Sequence, residues 1–559
     1  MSDAQEFERS PVQPEQLQPA RHFAASYSGE HVAGTEFVIG ALFVAWGVGT
    51  SDILWGLLWG NLLAVLTWAL ICAPIAVQTR LTLYAYLEKI GGPGTIKLYS
   101  VVNGILFCIL AGTMITVSAS AVRILFSIPA QVNWYPTSIA FVLVALAVGA
   151  VVVTIAIKGF KRVAQFAEVC APWMILMFVA GALSMLPVLF ANAPELSSAA
   201  SGTGFIERFF NAADNLIWQD TNKGFNVWHV AAFSWICNFA MHGGLSDMTV
   251  LRFAKKSSYG YFSFFGMFLG HYMAWVCAGI MGAGAGLLLK SSITQMDAGA
   301  VAFQALGAAG IIAVIIAGWT TSNPTIYRAG LAFQSLNPKW NRVKVTAIVG
   351  LVTTVIACFP FVFSELMNFV GIMGLVLAPI GAVIVAEHWL FPRMGLTRYW
   401  TSYAKNTFNW AALVAWGGSL LIAFMLTRLG LHLFFLMIPT WIAATIIYIL
   451  LASLLGARTS YTDEVAQHEK SETERREREQ LYLEKASSVA GTTHTEIASF
   501  KQKSAGVVAL LALLVCGVMA IVVFNDGNLE IFRSWLVVPS VVYFISATVW
   551  SIEKEKTSR

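Results

Sequence analysis

Charge is what this chain has least of. Only 12% of its 559 residues are Asp, Glu, Lys or Arg, where soluble domains carry about a quarter. With 57% hydrophobic residues and a mean hydropathy of +0.69, an ordinary soluble domain is excluded and an all-α polytopic membrane protein is expected. Recognisable reactive motifs are equally scarce. There is no Walker A sequence, no GxSxG, no GxGxxG after a strand and no metal-spaced His/Cys set, so neither ATP-driven work nor an enzyme is expected. The seven cysteines (Cys72, Cys108, Cys170, Cys237, Cys277, Cys358 and Cys516) all lie in apolar segments, where they behave as small hydrophobes rather than a disulfide framework. The net charge of +5 says little by itself, and no nucleic-acid partner is expected.

Long apolar runs are abundant. A span needs roughly 20 apolar residues, and candidates fall near 34–50, 53–77, 98–122, 138–157, 167–191, 227–246, 259–289, 301–322, 344–363, 366–389, 409–428, 431–456, 504–524 and 530–551, fourteen in all. Basic residues cluster on alternate connections: Lys89 and Lys97, Lys158 to Arg162, Arg252 to Lys256, Arg328 to Lys344, Arg393 to Lys405, and Arg458 onward. The positive-inside rule then puts both termini in the cytoplasm of a plasma (inner) membrane protein. Residues 1–33, polar and containing Pro11, Pro14 and Pro19, are expected to be a disordered cytoplasmic tail. Residues 34–390 would hold ten spans and 391–456 spans 11 and 12. Residues 457–503 form a charged cytoplasmic insert, and 504–559 two further spans. Within the insert, Glu472/Arg476 and Glu474/Arg478 sit at helical i,i+4 spacing, which fits a solvated surface helix or a regulatory one. Residues 192–226 form a longer external loop, with Trp218 and Phe225 available to cover an opening.

Four segments break the pattern of a lipid-facing helix. Ala317-Gly318-Trp319-Thr320-Thr321-Ser322-Asn323-Pro324 follows the apolar stretch AGIIAVIIAG. Four consecutive hydrogen-bonding side chains are costly in hydrocarbon, and such a cluster is a site hypothesis by default. Thr320 and Thr321 point about 100° apart on a helix, so a cation between this helix and an unwound neighbour could take hydroxyl oxygens and a carbonyl such as that of Ala317. Pro324 is expected to mark where the helix loosens. The first span has Gly40, Gly47 and Gly49, which allow either unwinding or close packing. The sixth runs FSWICNFAMHGGLSD and is expected to break at Gly243-Gly244. Its Asn238 offers donors and acceptors for a planar ligand and Phe239 a stacking face. His242 is a hydrogen-bonded interior histidine or a proton-coupling or gating group. The third contains Asn103 and Phe107, weaker ligand-facing candidates. Glu36, Asp52, Glu168, Asp247, Glu365 and Glu387 lie near expected span ends, where a solvated role is favoured.

At these residues the chain resembles the nucleobase–cation symporter (purine–cytosine permease) family. The likeness rests on Gly60-Asn61-Leu62-Leu63, Asn238-Phe239 through Leu251-Arg252-Phe253, Trp319-Thr320-Thr321 with Tyr327 and Gly330-Leu331, and PIGAVIVAEHWLFPR at 379–393. The resemblance spans roughly residues 34–450. It implies a LeuT-like core of two inverted five-span repeats with discontinuous first and sixth spans. It places Ala317, Thr320 and Thr321 at the family's Na⁺ site, with first-span carbonyls near Gly40 and Val44. Cys237, Asn238, Phe239 and Ser322 would line the substrate cavity, with Asn323 beside them. Where the family commonly has a third-span tryptophan, this chain has Phe107. The expected activity is import of a nucleobase or related planar nitrogenous heterocycle with Na⁺, and no cofactor beyond the co-transported Na⁺ or H⁺. Proton-coupled uptake of another small solute, or a transporter-like sensor signalling through the insert, are the alternatives.

Overall fold

The computed structural model describes residues 9–131, 133–195, 204–221, 223–337, 339–490 and 499–557. Among them all regular structure is helical, apart from one isolated bridge between Gln18 and Ala254. Eleven of the described helices are long and apolar enough to cross a membrane. Three expected spans fall short as single helices. The first and sixth are broken, and the ninth, Arg342–Ala357, has 16 residues.

The beginning of the chain departs from the sequence reading. Ala20–His31, inside the expected tail, is a helix whose buried side includes His22, Ser26, Ser28, Glu30 and His31. After Val32 (φ −85°, ψ 69°) and Ala33 (φ −109°, ψ 165°) the chain resumes as Gly34–Ala45. These two helices together make span 1. Its first half is too polar for lipid, but it packs against protein, where hydropathy is no guide. The second half approaches its neighbours closely. A Cβ on Gly34 would lie 2.7 Å from Val117, and one on Gly40 2.6 Å from both Ala278 Cβ and Trp275 O. Gly40 therefore serves packing, and Gly40 and Val44 lie within regular helix beyond the break.

Span 6 breaks twice. Val227–Ile236 ends at Cys237 and Asn238, a single turn follows at Phe239–His242, and the helix stops again over Gly243 to Leu245, the last at φ +63°, before Met248–Leu251. The glycine pair thus marks one break, and a second precedes Phe239.

Packing reveals a repeat. Gly34–Ala45 packs on span 7 (Ser257–Leu289), and Val227–Ile236 on span 2 (Thr50–Thr79). Exchanging span 1 with 6 and span 2 with 7 converts one contact into the other. Ala20–His31 lies on span 5 (Phe160–Asn192) as Phe239–His242 lies on span 10 (Val362–Val385). Spans 3 (Leu83–Leu125) and 8 (Ala308–Gln334), exchange partners of each other, run side by side through the centre. They are antiparallel, with Ser335 Oγ on Ser100 Oγ at 2.7 Å and Ser118 Oγ on Ile315 O at 3.0 Å. Five spans per repeat start the second repeat on the opposite side, which makes the repeats inverted.

Span 8 differs from its expected form. Residues 298–306 are a separate helix, and Ala308–Gln334 continues unbroken through Pro324. The polar cluster is therefore mid-helix. The proline removes one backbone donor without ending the helix, a cost that packed neighbours absorb. At the far end of the chain, Phe500–Asp526 and Val537–Thr557 pair with each other and dock on span 5, where Trp173 Nε1 donates to Ser540 Oγ at 3.0 Å and Tyr543 OH to Val169 O at 2.7 Å.

The insert forms the helix Thr462–Ala490. Its ion pairs centre on Arg475, with Glu472 at 2.9 Å and Glu479 at 3.2 Å, rather than on Arg476 or Arg478. One side docks on the end of span 2. The fully buried Arg80 guanidinium grips Glu479 and also donates to Arg252 O and Ala254 O, while Arg475 donates to Gln78 O at 2.6 Å.

Candidate functional site: a closed cavity between broken helices

The breaks in spans 1 and 6 meet spans 3, 7, 8 and 10 around a small cavity in the middle of the bundle. Its volume, about 40 Å³, is enough for about three water molecules and too small for a heterocycle. A ligand can enter only if side chains yield, and flexible Met114 and Met241 are among the walls. A larger apolar groove between spans 3 and 9 opens outward past Ile105, Ile348 and Val352, all exposed, and gathers no comparable polar set.

On one side of the cavity is the oxygen cluster of span 8. Thr320 Oγ1 donates to Ala317 O at 3.1 Å. Thr321 Oγ1 lies 3.0 Å from Ala317 O and 2.8 Å from Glu30 O. Back-bonding to one's own helix is ordinary for threonine; reaching another helix is not. Glu30 O is available because the break at Val32–Ala33 strips the last carbonyls of Ala20–His31 of their helical donors. Four neutral oxygens from two helices thus stand together, the ligand type a hard cation takes. The span 1 contribution comes from Glu30 rather than from Gly40 and Val44, since the unwound stretch lies before Gly34.

The opposite wall is polar and aromatic. Asn238 Nδ2 faces His31 Nδ1 at 3.4 Å and His271 Nε2 at 3.2 Å. An amide nitrogen only donates, so both ring nitrogens accept and both imidazoles are neutral. The remaining proton of His31 is on Nε2, buried without a hydrogen-bond partner among the described residues. His271 stacks on Trp275 at 4.2 Å and 14°, and Cys237 Sγ lies 3.6 Å from His271 Nδ1. Glu36, 3% exposed, accepts from Trp275 Nε1 and, at 3.3 Å, from Thr35 Oγ1.

Of the candidate residues, Cys237 and Asn238 line the cavity, as does Thr321, and several others do not. Phe239 turns to an apolar groove with Trp441 and Ile438 and packs edge-on to Trp235. Ser322 bonds back to Gly318 O at 2.7 Å. Asn323 is buried with neither amide atom hydrogen-bonded among the described residues, and Phe107 is buried in span 3; neither is among the walls. His242 Nε2 meets Trp235 O at 3.0 Å and its ring packs on Trp68 at 4.5 Å, which is the interior-histidine alternative. The sequence reading missed His31, Glu36, His271 and Trp275 as cavity residues. For the span 1 pair the available signal was two acids and a histidine close together in GEHVAGTE, at the edge of the first apolar run.

Below the cavity, toward the insert, a second polar group closes the bundle. Arg328 forks onto Glu30 (Nη1–Oε1 2.6 Å, Nη2–Oε2 3.0 Å) and onto Asp247 Oδ1 (Nη2 2.6 Å, Nε 3.2 Å). Asp247 Oδ2 accepts from Trp68 Nε1 at 2.6 Å and Tyr27 OH at 3.2 Å. All three ionic side chains are at most 3% exposed, so Asp247 and Arg328 are not the solvated span-end charges the sequence suggests. Glu36 and Glu387 are likewise buried, the latter held by Tyr448 OH and by Tyr399 N at 2.6 Å. At the opposite end, Trp46 stacks on Phe225 at 4.8 Å and Phe434 at 5.5 Å, with Phe43 and Phe233 beneath. Trp218 is buried against Gly279. The cavity is shut at both ends.

Broken first and sixth spans in an inverted five-plus-five core, with a midplane cavity between them, define the LeuT-like fold of polytopic membrane proteins. The chain is similar to the solved structure of Mhp1, a nucleobase-cation-symport-1 family transporter, in a closed conformation with bromovinylhydantoin bound: TM-score 0.62, 14% identity, 82% of this chain and 98% of that one covered. Inward-facing Mhp1 gives 0.59 at 14% identity over 81% and 95%. A substrate-bound, outward-open Na⁺-coupled sialic acid symporter gives 0.56 at 13% over 79% and 91%. At these identities the likeness is one of fold. No sequence-family model and no curated protein matches the chain.

Proposed function

We propose that this chain is a secondary symporter that imports a nucleobase or related small planar nitrogenous heterocycle with Na⁺ by alternating access, in a plasma (inner) membrane with both termini cytoplasmic. The observation that carries the reading is Thr321, whose hydroxyl joins Ala317 O of span 8 to Glu30 O at the break of span 1. A cation among these oxygens would hold the two helices together and favour one access state, and a substrate preferring that state would bind better for it. The solved structures of similar fold include a hydantoin-bound transporter and a Na⁺-coupled symporter, which supports the same substrate and ion classes. His242 is engaged with Trp235 and Trp68, which speaks against it as a proton carrier.

The test is uptake into proteoliposomes of radiolabelled nucleobases and hydantoins under an inward Na⁺ gradient. Thr321→Ala is expected to raise the half-saturating Na⁺ concentration about tenfold or more, the effect of losing about 1.4 kcal/mol. Unchanged Na⁺ dependence would remove Thr321 from the ion site. Uptake that follows a pH gradient and ignores Na⁺ would replace sodium with protons.

A further inference from the structure

The central cavity holds an acid that the symport reading leaves unused. Glu36 lies on the substrate side, on the far half of span 1 from the Arg328 cluster, and both its oxygens accept hydrogen bonds. Two neutral donors orient a carboxylate but bring no positive charge, and a buried charge needs a partner of opposite sign. Among the described residues the cavity walls contain no lysine or arginine. Glu30, the other wall acid, is committed to Arg328. Both wall histidines are neutral by their contacts with Asn238. A buried acid so placed either holds a proton or takes its positive charge from outside.

We infer that the substrate binds as a cation: a planar heterocycle with a positively charged ring nitrogen placed on Glu36. Its ring would lie along the face offered by the stacked His271 and Trp275. The unpartnered Nε2–H of His31 then supplies a donor for a carbonyl or ring acceptor on the same molecule. Glu36 fixes the charge, His31 the orientation, and the aromatic pair the planarity. This deepens the symport reading and rests on it only for the statement that the ligand is transported.

A matched pair of probes tests the charge. 1-Methylnicotinamide and nicotinamide share a planar ring and a carboxamide acceptor, and differ by a methyl group and a permanent positive charge. With uracil as a second neutral probe, binding to the purified full-length protein is followed by thermal shift and calorimetry. The cation is expected to bind the unaltered protein about 10- to 100-fold tighter than its neutral partner, the scale of one charge-assisted contact. Glu36→Gln keeps an acceptor for Trp275 and is expected to abolish that preference. Should that variant fail to fold, the comparison on unaltered protein still decides. Equal binding of the neutral probes, with no proton uptake, overturns the inference. So does neutral binding accompanied by uptake of one proton (read from buffer-dependent heats), which would make Glu36 a proton site. Either result leaves the transport reading standing. Cation binding without gradient-driven uptake in proteoliposomes would have the opposite effect, sparing the charge assignment and removing transport.

Discussion

Arg328 shows how much a single side chain decides here. One guanidinium faces two carboxyl groups, and Trp68 and Tyr27 donate to the second oxygen of Asp247. Removing the cation would leave two buried acids side by side, and breaking a buried pair this way costs about 3–5 kcal/mol. Arg328→Ala is therefore expected to lower the melting temperature in detergent markedly. Arg328→Lys should recover little, because an ammonium cannot reproduce the fork on Glu30. A melting temperature within a degree or two of the unaltered protein for Arg328→Ala would show that the cluster does not hold the bundle shut. At this scale the sequence was half legible. Thr320, Thr321 and Asn238 stand out as polar residues in apolar helices. Arg328 and Asp247 did not, because a charge near the end of an apolar run reads as interfacial until the helix is seen to continue. His31 and His271 were passed over, although Gly270 precedes His271, because neither lies beside a glycine pair such as Gly243-Gly244.

Among the elements, the insert helix is more than a solvated appendage. It spans the end of span 2 through Arg80–Glu479 and Arg475–Gln78, and His468 packs on Tyr399 at 4.9 Å. Glu479→Ala is expected to loosen this docking by about 1–3 kcal/mol, the cost of leaving a charged donor short of its acceptor. Faster hydrogen exchange across 462–490 would report it; unchanged exchange would count against the clamp. Burial and the nearby Lys89 also hold the His468 imidazole below its ordinary range. The docked form then binds fewer protons than the free form. This contribution to docking is fully present above about pH 6.5 and should be lost as pH falls below it, visible as rising exchange in the same segment. The element most hidden in the sequence was Ala20–His31. Its arginine, histidines, serines and glutamate deny it to a lipid-based reading, yet its buried side packs on protein, with Glu30 paired to Arg328. Span 8 was misjudged for a related reason, since Pro324 reads as a terminus and is accommodated within a packed helix.

For the whole molecule, the two closures predict a measurable asymmetry. Cys237 lines the cavity and is the one cysteine not fully buried, so its reaction with impermeant thiol reagents reports access. Trp46→Ala removes the ring stacked between Phe225 and Phe434. Loss of about 1–2 kcal/mol of stacking and burial should raise the open population, and with it labelling from that side, roughly tenfold. Equal labelling of both proteins would mean that the aromatic layer does not control access. At this scale hydrophobic runs and alternating basic loops made the polytopic helical class legible, while the inverted-repeat core came from the family resemblance. The occluded geometry was not, since it depends on which aromatic and ionic side chains meet across elements hundreds of residues apart.

Glu30 meets span 8 twice. Its carbonyl receives Thr321 where the proposed cation would sit, and its carboxylate receives Arg328 where the bundle is closed toward the insert. Sensor and latch are then one residue, its main chain reading the ion and its side chain holding the door. No relay of displaced side chains is required between them. Under the symport reading, any factor by which the latch tightens ion binding must be returned in full as ion-dependent tightening of the latch.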